Sequence, residues 1–333
     1  MRLSCLARLS VVVLITIITF SDRGGYFVIA AERANHTSRT DIYITSLSNP
    51  IRVGRIQPKE LRESSGIIAS RRYPGIYWSI NDSGNPPDLF AIKVNGKGIC
   101  RIRVSSARNV DWEDIAIDAD GKIYIGDFGN NSRRRRVLSI YCLDEPAPDV
   151  ATRVAKIKRV VRFTYPSKEI PFDCEAMFVR KGWAYLISKE FHKARFWCIR
   201  LNGKAEAHPR IRYLGSLPHI AQVTAADISP DGKWVAVLSY FKIVVYQLPR
   251  PIEKMLRIDQ TTTTPSSRLT ASPFESIFKK AKVVSRHIIL GQAEGICWEL
   301  SPKGKHPQAL IITNEQRGIY RIKLQLSKKN NNK

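Results

Sequence analysis

The chain has 333 residues, a length that predicts either two domains or one large all-β domain. Its 44% apolar and 25% charged residues are the usual balance of a chain that buries a core, which excludes a wholly disordered chain, a collagen and a polytopic membrane protein. Lysine and arginine number 54 against 29 acidic residues, and the net charge of +25 favours anionic partners.

The N-terminal segment has the features of an export signal. Arg2 and Arg8 supply a basic start, and an apolar run extends from Leu9 to Phe20. That run is shorter than the ~20 residues of a membrane-spanning helix, and Ala30-Ala31 offers small residues for cleavage. We therefore predict a signal peptide over residues 1–30, a secreted or periplasmic protein, and no other transmembrane segment. An uncleaved N-terminal anchor is the alternative.

A short pattern recurs five times along the chain, at intervals of 48 to 70 residues that match propeller blades with added loops. Its occurrences are Ser65-Gly66-Ile67, Glu113-Asp114-Ile115, Glu175-Ala176-Met177, Thr224-Ala225-Ala226 and Glu294-Gly295-Ile296. Each is followed by a turn, an apolar strand and a further strand. The turns contain Gly75, Gly121, Gly182, Gly232 and Gly304.

Four short strands per unit, with almost no helical periodicity, are typical of a β-propeller. We predict an all-β fold in which residues 60–325 form a β-propeller of four-stranded blades. Five blades are expected, with six as the close alternative, and a β-sandwich is the alternative fold. Within this scheme, residues 31–59 supply a strand that closes the ring, residues 250–286 form an insertion, and residues 326–333 form a disordered tail.

Acidic residues recur where first strands begin and second strands end, two places that open on the same face of a propeller. The candidate metal ligands there are Asp82, Glu113, Asp127, Glu175, Glu190, Glu294 and Glu315. Like charges this close repel unless a cation lies between them or some take up protons. Oxygen ligands without a histidine cluster favour Ca²⁺ over zinc. The alternative is that each acid ties neighbouring blades together by accepting backbone N–H bonds.

Arginines and asparagines beside this predicted mouth are candidates for binding an anionic ligand. Arg133 and Arg136 belong to a run of four arginines, and Asn81 and Asn130 belong to oxygen-rich turns. A guanidinium above the acids could bind an anionic group through two bonds, whereas a solvated loop is the plainer interpretation. No nucleic-acid-binding module accompanies the run, and the chain has no G-x-S-x-G or H-E-x-x-H motif.

Several of these segments are similar to a known family. The segments Glu63-Ser64-Ser65-Gly66-Ile67, Asn81-Asp82-Ser83-Gly84, Asp111 to Ala116, Gly126 to Asn130 and Glu294-Gly295-Ile296 resemble exported bacterial propellers of the SdiA-regulated and esterase-like phytase type. This resemblance covers roughly residues 60 to 320 and implies a secreted or periplasmic propeller whose centre can carry Ca²⁺. The chain departs from the pattern in its fourth unit, where Thr224 and Tyr240 stand in place of acids.

Two functions fit these features. The first is an exported binding module that holds a cation and uses its basic surface to engage an anionic polymer or a component of the cell envelope. The second is a Ca²⁺-dependent phosphoesterase, in which the cation neutralises a phosphate ester while a carboxylate activates water. Whether the chain is an enzyme stays open at this point, and no feature of the sequence indicates an oligomeric state.

Overall fold

The computed structural model describes residues 41–166, 169–202, 211–255, 278–301 and 307–329. The chain divides into two units, and Ile42–Ser327 contains nearly all of the described residues. The other unit, residues 1–41 with 328–333, lies almost wholly outside them, as do the predicted signal peptide 1–30 and most of the predicted insertion. No helix among the described residues is long and apolar enough to cross a membrane.

The described residues fold into successive four-stranded antiparallel blades. The first blade contains β3 (Ser64–Ala69), β4 (Ile76–Asn81), β5 (Asp88–Lys93) and β6 (Gly98–Ser105). The second contains β7 (Trp112–Ile117), β8 (Lys122–Asp127), β9 (Val137–Asp144) and β10 (Val154–Thr164). The third contains β11 (Cys174–Arg180), β12 (Trp183–Ser188), β13 (Ala194–Arg200) and β14 (Arg212–Leu217).

The fourth blade follows the same order, whereas the fifth is a five-stranded sheet. The fourth contains β15 (Val223–Ile228), β16 (Trp234–Ser239), β17 (Lys242–Gln247) and β18 (Lys282–His287). The fifth contains β19 (Ala293–Leu300), β20 (Pro307–Asn314) and β21 (Gly318–Lys329), together with β1 (Asp41–Leu47) and β2 (Ile51–Arg55). The innermost strands β3, β7, β11, β15 and β19 contact one another in cyclic order, so that β19 returns to β3. The predicted all-β propeller is confirmed, and the described residues form five blades.

The fifth blade is completed by strands from the other end of the chain. β2 pairs antiparallel with β21, with Ile51 opposite Arg321, and the N–H of Ser48 donates a 3.0 Å hydrogen bond to the carbonyl of Lys323. β21 continues to Lys329, past residue 326, where we expected a disordered tail. β1 is the neighbour of β21 in this sheet, so the last strand has a hydrogen-bonded partner there.

The predicted insertion of residues 250–286 falls between β17 and β18 of the fourth blade, and residues 256–277 of it lie outside the described residues. A single helical turn, α1 (Ile252–Met255), follows β17. β18 then pairs with β17 along its whole length, from Lys282 opposite Gln247 to His287 opposite Lys242. The predicted insertion of residues 250–286 therefore ends before β18, because this weakly apolar strand finds hydrogen-bond partners at the edge of the fourth blade.

The first two blades share one eight-stranded sheet. Their outermost strands, β6 and β10, run parallel and pair from Val154 opposite Arg103 to Lys156 opposite Ser105. This pairing satisfies backbone groups that would otherwise lie on two open sheet edges.

Continuous apolar runs fill the strands because neighbouring blades cover both faces of each inner strand. All six residues of β3, β7, β15 and β16 are buried. Four tryptophans are fully buried, Trp78, Trp112, Trp197 and Trp298, and large side chains of this kind each contribute about 1.5–3 kcal/mol or more through burial. The core therefore consists of layers between blades, and it leaves the ends of the inner strands free for polar side chains.

Candidate functional site

Each innermost strand begins with a β-bulge, an extra residue that interrupts pairing with the second strand and re-aims a side chain. The extra residues are Ser65, Glu113, Glu175, Thr224 and Glu294. All of these except Thr224 line one polar cavity. The pattern that recurs in the sequence is therefore a bulge that recurs in the structure.

A second recurring position lies where the chain leaves the second strand of a blade. There the backbone N–H donates a 3.0–3.2 Å hydrogen bond to the carbonyl of a residue that lies just before the innermost strand of the same blade. The pairs are Asp82 to Glu63, Gly129 to Asp111, Lys189 to Asp173 and Glu315 to Gln292. Asp82, Lys189 and Glu315 consequently face the same cavity as the bulge residues, and Tyr240 faces it from the fourth blade.

The cavity has a volume of about 140 Å³. Its lining residues are Glu63, Ser64, Ser65, Asp82, Glu113, Asn131, Glu175, Lys189, Tyr240, Glu294 and Glu315. Carboxylates of Asp111 and Asp173 lie beside those of the lining acids. We call this cavity, together with Asp111 and Asp173, the acidic mouth.

Five of the seven predicted metal ligands lie in the acidic mouth: Asp82, Glu113, Glu175, Glu294 and Glu315. Asp127 does not; it is 2% exposed and forms a 2.6 Å ion pair with Arg135. Glu190 also lies outside the lining and forms a 2.7 Å ion pair with Arg195.

Both residues lie off the position from which a side chain faces the cavity, Asp127 before it and Glu190 after it. Asp127 is the last residue of β8, and the second blade reaches the cavity position only at Gly129. In the third blade, Lys189 occupies the cavity position, so Glu190 lies one residue beyond it.

The predicted anion-binding asparagines hold the backbone instead. Oδ1 of Asn81 accepts hydrogen bonds from the N–H groups of Arg62 and Glu63, and its Nδ2 donates to the carbonyl of Glu60. The side chain of Asn130 binds both backbone groups of Arg135. Both asparagines are buried, at 2% and 1% exposure, because closing these turns requires their amide groups.

The predicted arginines do not line the mouth either. Arg133 and Arg136 are exposed to solvent, as the plainer interpretation of a solvated loop expects. Arg135, between them, turns inward and donates to the carbonyl of Gly129 at 2.8 Å and to Asp127. The loop therefore contributes Asn131 to the lining and one arginine to the support beneath it.

A lysine provides the positive charge of the acidic mouth. Nζ of Lys189 donates to Oε1 of Glu175 at 2.5 Å and to the hydroxyl of Tyr240 at 2.7 Å, and it lies 4.8 Å from the centroid of the Tyr240 ring. Burial works against the charge of Lys189, but the carboxylate of Glu175 outweighs it and raises the pKa of this lysine. Oε2 of Glu175 is buried and has no hydrogen-bond partner.

Several carboxyl groups of the mouth hold their protons more tightly than usual. Burial, reinforced by the charge of Glu175, raises the pKa of Glu113 well above its ordinary value. Burial raises the pKa of Glu294 to about 7, and burial with the charge of Asp82 raises the pKa of Asp111 to about 6. Without a counter-ion, ionising these carboxyl groups in the folded protein therefore costs electrostatic free energy.

Two groups of three acids are close enough to share a cation. One consists of Asp82, Asp111 and Glu113, and the other of Glu113, Asp173 and Glu175. Within each group the carboxylate oxygens lie within 4.8 Å of one another, which is about twice a Ca–O distance of ~2.4 Å. Their oxygen-only chemistry suits a hard cation such as Ca²⁺, and the partnerless Oε2 of Glu175 offers it a ligand atom.

Gly129 allows two of these carboxylates to approach the backbone. A Cβ atom at this position would lie 2.0 Å from Oε1 of Glu113 and 2.5 Å from Cγ of Asp111. Any larger residue would displace both side chains. At the position where other blades have Asp82 or Lys189, the second blade therefore leaves room for the carboxylates of Glu113 and Asp111.

Some of the acids do not face the cavity. Asp114 instead joins neighbouring blades through hydrogen bonds to their backbone. It is fully buried, and its carboxylate accepts the N–H groups of Ile115, Met177 and Ala226, which lie on β7, β11 and β15. Asp227 similarly accepts the N–H of Trp298 at 2.9 Å and so joins the fourth blade to the fifth. The alternative interpretation of the recurring acids therefore describes these two residues.

Sequence reasoning missed Lys189 as a member of the site. The signal that could have found it is its place directly after an apolar strand, where Asp82 and Glu315 stand in the first and fifth blades. Tyr240 was noted as a departure from the acidic pattern, and its hydroxyl is the acceptor for Lys189.

No family model and none of the curated proteins matches the chain. Among solved structures, the chain is similar to the glutaminyl cyclase of Myxococcus xanthus, at 9% identity and a TM-score of 0.43 over 86% of this chain and 98% of that one. It is also similar to a putative gluconolactonase, at 9% identity and a TM-score of 0.44 over 87% and 94%. A chain of a nidogen/laminin complex matches at 10% identity and a TM-score of 0.38 over 78% and 83%. The order of the blades, and not these similarities, identifies the chain as a β-propeller.

Proposed function

We propose that the chain is an exported binding module that holds a divalent cation, Ca²⁺, in the acidic mouth and engages an anionic polymer through its basic surface. The observation that carries the first half is Oε2 of Glu175, a buried carboxylate oxygen without a hydrogen-bond partner among acids that repel one another. Burial raises the pKa of Glu175 well above its ordinary value, because an ionised carboxylate at this depth is costly unless it is paired, and a cation would pair it. Export to a secreted or periplasmic location remains a proposal that rests on the N-terminal sequence.

The second half rests on the shared sheet of the first two blades. Its outer strands and the turn before β10 expose the basic side chains Arg101, Arg103, Arg153, Lys156, Lys158, Arg159 and Arg162, which we call the basic strip. Two acids beside it are already paired, since Asp88 is buried and binds Arg101 and Arg103 while Asp144 binds Lys158. The strip therefore keeps a net positive charge along a rigid sheet, which complements a linear polyanion.

Thermal melting with Ca²⁺ and with chelator tests the cation. A cation that binds only the folded state adds stability that grows with its concentration, so the melting temperature should rise with Ca²⁺ and fall with chelator. Replacing Glu113 and Glu175 together by glutamine should abolish this response, whereas Glu190→Gln, outside the mouth, should preserve it. If these acids are only ties between blades, the double variant will lose the same stability with and without Ca²⁺.

A Ca²⁺-dependent phosphoesterase is the second candidate, and Lys189 favours it. Its ammonium and the Tyr240 hydroxyl lie beside the acids, where they could bind a phosphate oxygen next to a cation that activates water. A screen of phosphate and carboxylate esters with Ca²⁺ and with chelator separates the two functions. Turnover that requires Ca²⁺ and is lost in Glu113→Gln would support the enzyme, and no turnover with any ester would support the binding module.

A further inference from the structure

We infer that the acidic mouth binds two divalent cations and that Glu113 bridges them. This inference rests on the proposed function but goes beyond it, since a binding module needs only one ion. It concerns a dinuclear centre of two hard cations, such as Ca²⁺ or Mn²⁺, held by carboxylate oxygens alone.

The geometry supports two positions rather than one. One group consists of Asp82, Asp111 and Glu113. The other consists of Glu113, Asp173 and Glu175, and the five acids do not form a single group. A carboxylate has two oxygens and can serve two metals at once, as it does in two-metal sites whose ions lie about 3.5–4 Å apart. Glu113 is the one acid that belongs to both groups.

The charges of the acidic mouth favour two ions over one. The mouth holds eight acids, the five of the two groups together with Glu63, Glu294 and Glu315, and Lys189 returns one positive charge. One divalent cation neutralises two negative charges and a second neutralises two more. The second ion therefore lowers the repulsion that remains in a largely buried cluster of low dielectric constant.

The two positions differ in burial. Glu113, Asp173 and Glu175 are 6%, 7% and 3% exposed, and the partnerless oxygen of Glu175 belongs to this inner group. Asp82 and Asp111 are only half-buried. We therefore expect an inner ion that binds tightly and exchanges slowly, and an outer ion that binds more weakly and exchanges with solvent.

The test uses Mn²⁺ and the whole protein. Equilibrium dialysis should give two Mn²⁺ per chain in two steps, and electron paramagnetic resonance should show two exchange-coupled ions at saturation. Asp82→Asn, at a half-buried position, should retain the fold by circular dichroism, bind a single ion and lose the coupling. Glu190→Gln, which removes an equivalent charge next to Lys189 but outside the acidic mouth, should keep both ions and the coupling.

The outcomes separate this inference from the proposed function. A single ion in the unaltered protein, or two ions without coupling, would overturn the dinuclear centre and leave the proposed cation site intact. No binding of Mn²⁺ or Ca²⁺ would overturn both. Loss of an ion in Glu190→Gln would show that overall charge, and not the two groups, controls the number of ions, which also contradicts the inference.

Discussion

The ammonium of Lys189 lies 2.5 Å from Oε1 of Glu175, while the other oxygen of the same carboxylate has no hydrogen-bond partner. The lysine thus neutralises half of a buried group and leaves the other half available. The lysine is therefore a counter-ion fixed within the chain, and it leaves a carboxylate oxygen for the cation that we propose.

Replacing Lys189 by methionine should make stability dependent on the cation. In chelator the variant leaves Glu175 buried and unpaired, and removing one partner of a buried ion pair typically costs about 3–5 kcal/mol. With Ca²⁺ most of this loss should be recovered, because the ion supplies the missing charge. Melting curves of Lys189→Met and of the exposed control Lys193→Met, with and without Ca²⁺, measure the difference. Equal losses under both conditions would contradict the role assigned to the pair.

Stability in chelator should fall as the pH rises from 5 to 8. The folded state keeps a proton on Glu294 up to a pH of about 7, whereas the unfolded chain loses it near its ordinary value of 4.5. The folded state therefore binds more protons in this range, and the free energy of unfolding decreases with increasing pH. At about 1.4 kcal/mol per pKa unit, Glu294 accounts for on the order of 3 kcal/mol, and Asp111 adds to it.

Saturating Ca²⁺ should flatten this pH profile, because the bound cation favours the ionised acids. Denaturant unfolding at pH 5, 6, 7 and 8 provides the measurement, and Glu294→Gln should show a shallower fall in chelator. A free energy of unfolding that rises with pH in chelator would contradict the expected charge state of the mouth.

Substituting alanine for Gly129 should weaken cation binding without unfolding the protein. The added Cβ would meet Oε1 of Glu113 at 2.0 Å and Cγ of Asp111 at 2.5 Å, so both carboxylates must move. We expect a loss of at least tenfold in Ca²⁺ affinity, equal to about 1.4 kcal/mol, measured by calorimetry. Unchanged affinity would mean that these two carboxylates do not hold the ion in the observed positions.

Asparagine in place of Asp114 should destabilise the ring whether or not Ca²⁺ is present. Both carboxylate oxygens accept backbone N–H groups from three blades, and an amide NH₂ would confront at least one of these donors. A buried donor without a partner costs about 1–3 kcal/mol, whereas the exposed control Asp120→Asn should change stability by less than about 0.5 kcal/mol. Chemical denaturation of both variants tests this, and a Ca²⁺-dependent loss would instead place Asp114 in the ion site.

Binding of an anionic polymer such as heparin should weaken steeply as salt rises, because neutralised charges release counter-ions. The double variant Lys156→Glu/Arg162→Glu reverses two exposed charges of the basic strip and should reduce affinity about tenfold or more. Lys193→Glu/Lys323→Glu, with the same change in net charge elsewhere, should have a smaller effect. Fluorescence anisotropy at several salt concentrations makes the comparison, and equal losses in both variants would attribute binding to net charge rather than to the strip.

The recurring pattern was sufficient to predict the propeller and most of the acidic mouth. Glu113, Glu175 and Glu294 were found because their bulges share one sequence position, and the bulge repeats with the blade. Asp127 and Glu190 were misplaced because the cavity position comes two residues after the end of β8 but only one residue after the end of β12. No composition or spacing rule reveals such a difference before the backbone is known.

Lys189 was missed for a chemical reason. The prediction followed residue type and looked for an acid at the end of the second strand, so it passed over the lysine in favour of its neighbour. The backbone, and not the residue type, defines equivalent positions in the blades, so the third blade has a lysine where the first and fifth have an acid. The buried tie made by Asp114 was likewise indistinguishable by residue type from the acids that face the cavity.

The parallel pairing of β6 with β10 has a consequence for how the ring comes apart. Among the described strands, this is the blade boundary that backbone hydrogen bonds cross as a continuous sheet, so the first two blades cannot separate without breaking those bonds. Native-state hydrogen exchange should then show the amides of β3–β10 opening together as one cooperative unit. We expect transient opening to begin instead in the fifth blade, which is assembled from two distant parts of the chain and can release β1 and β2 while its other strands stay paired.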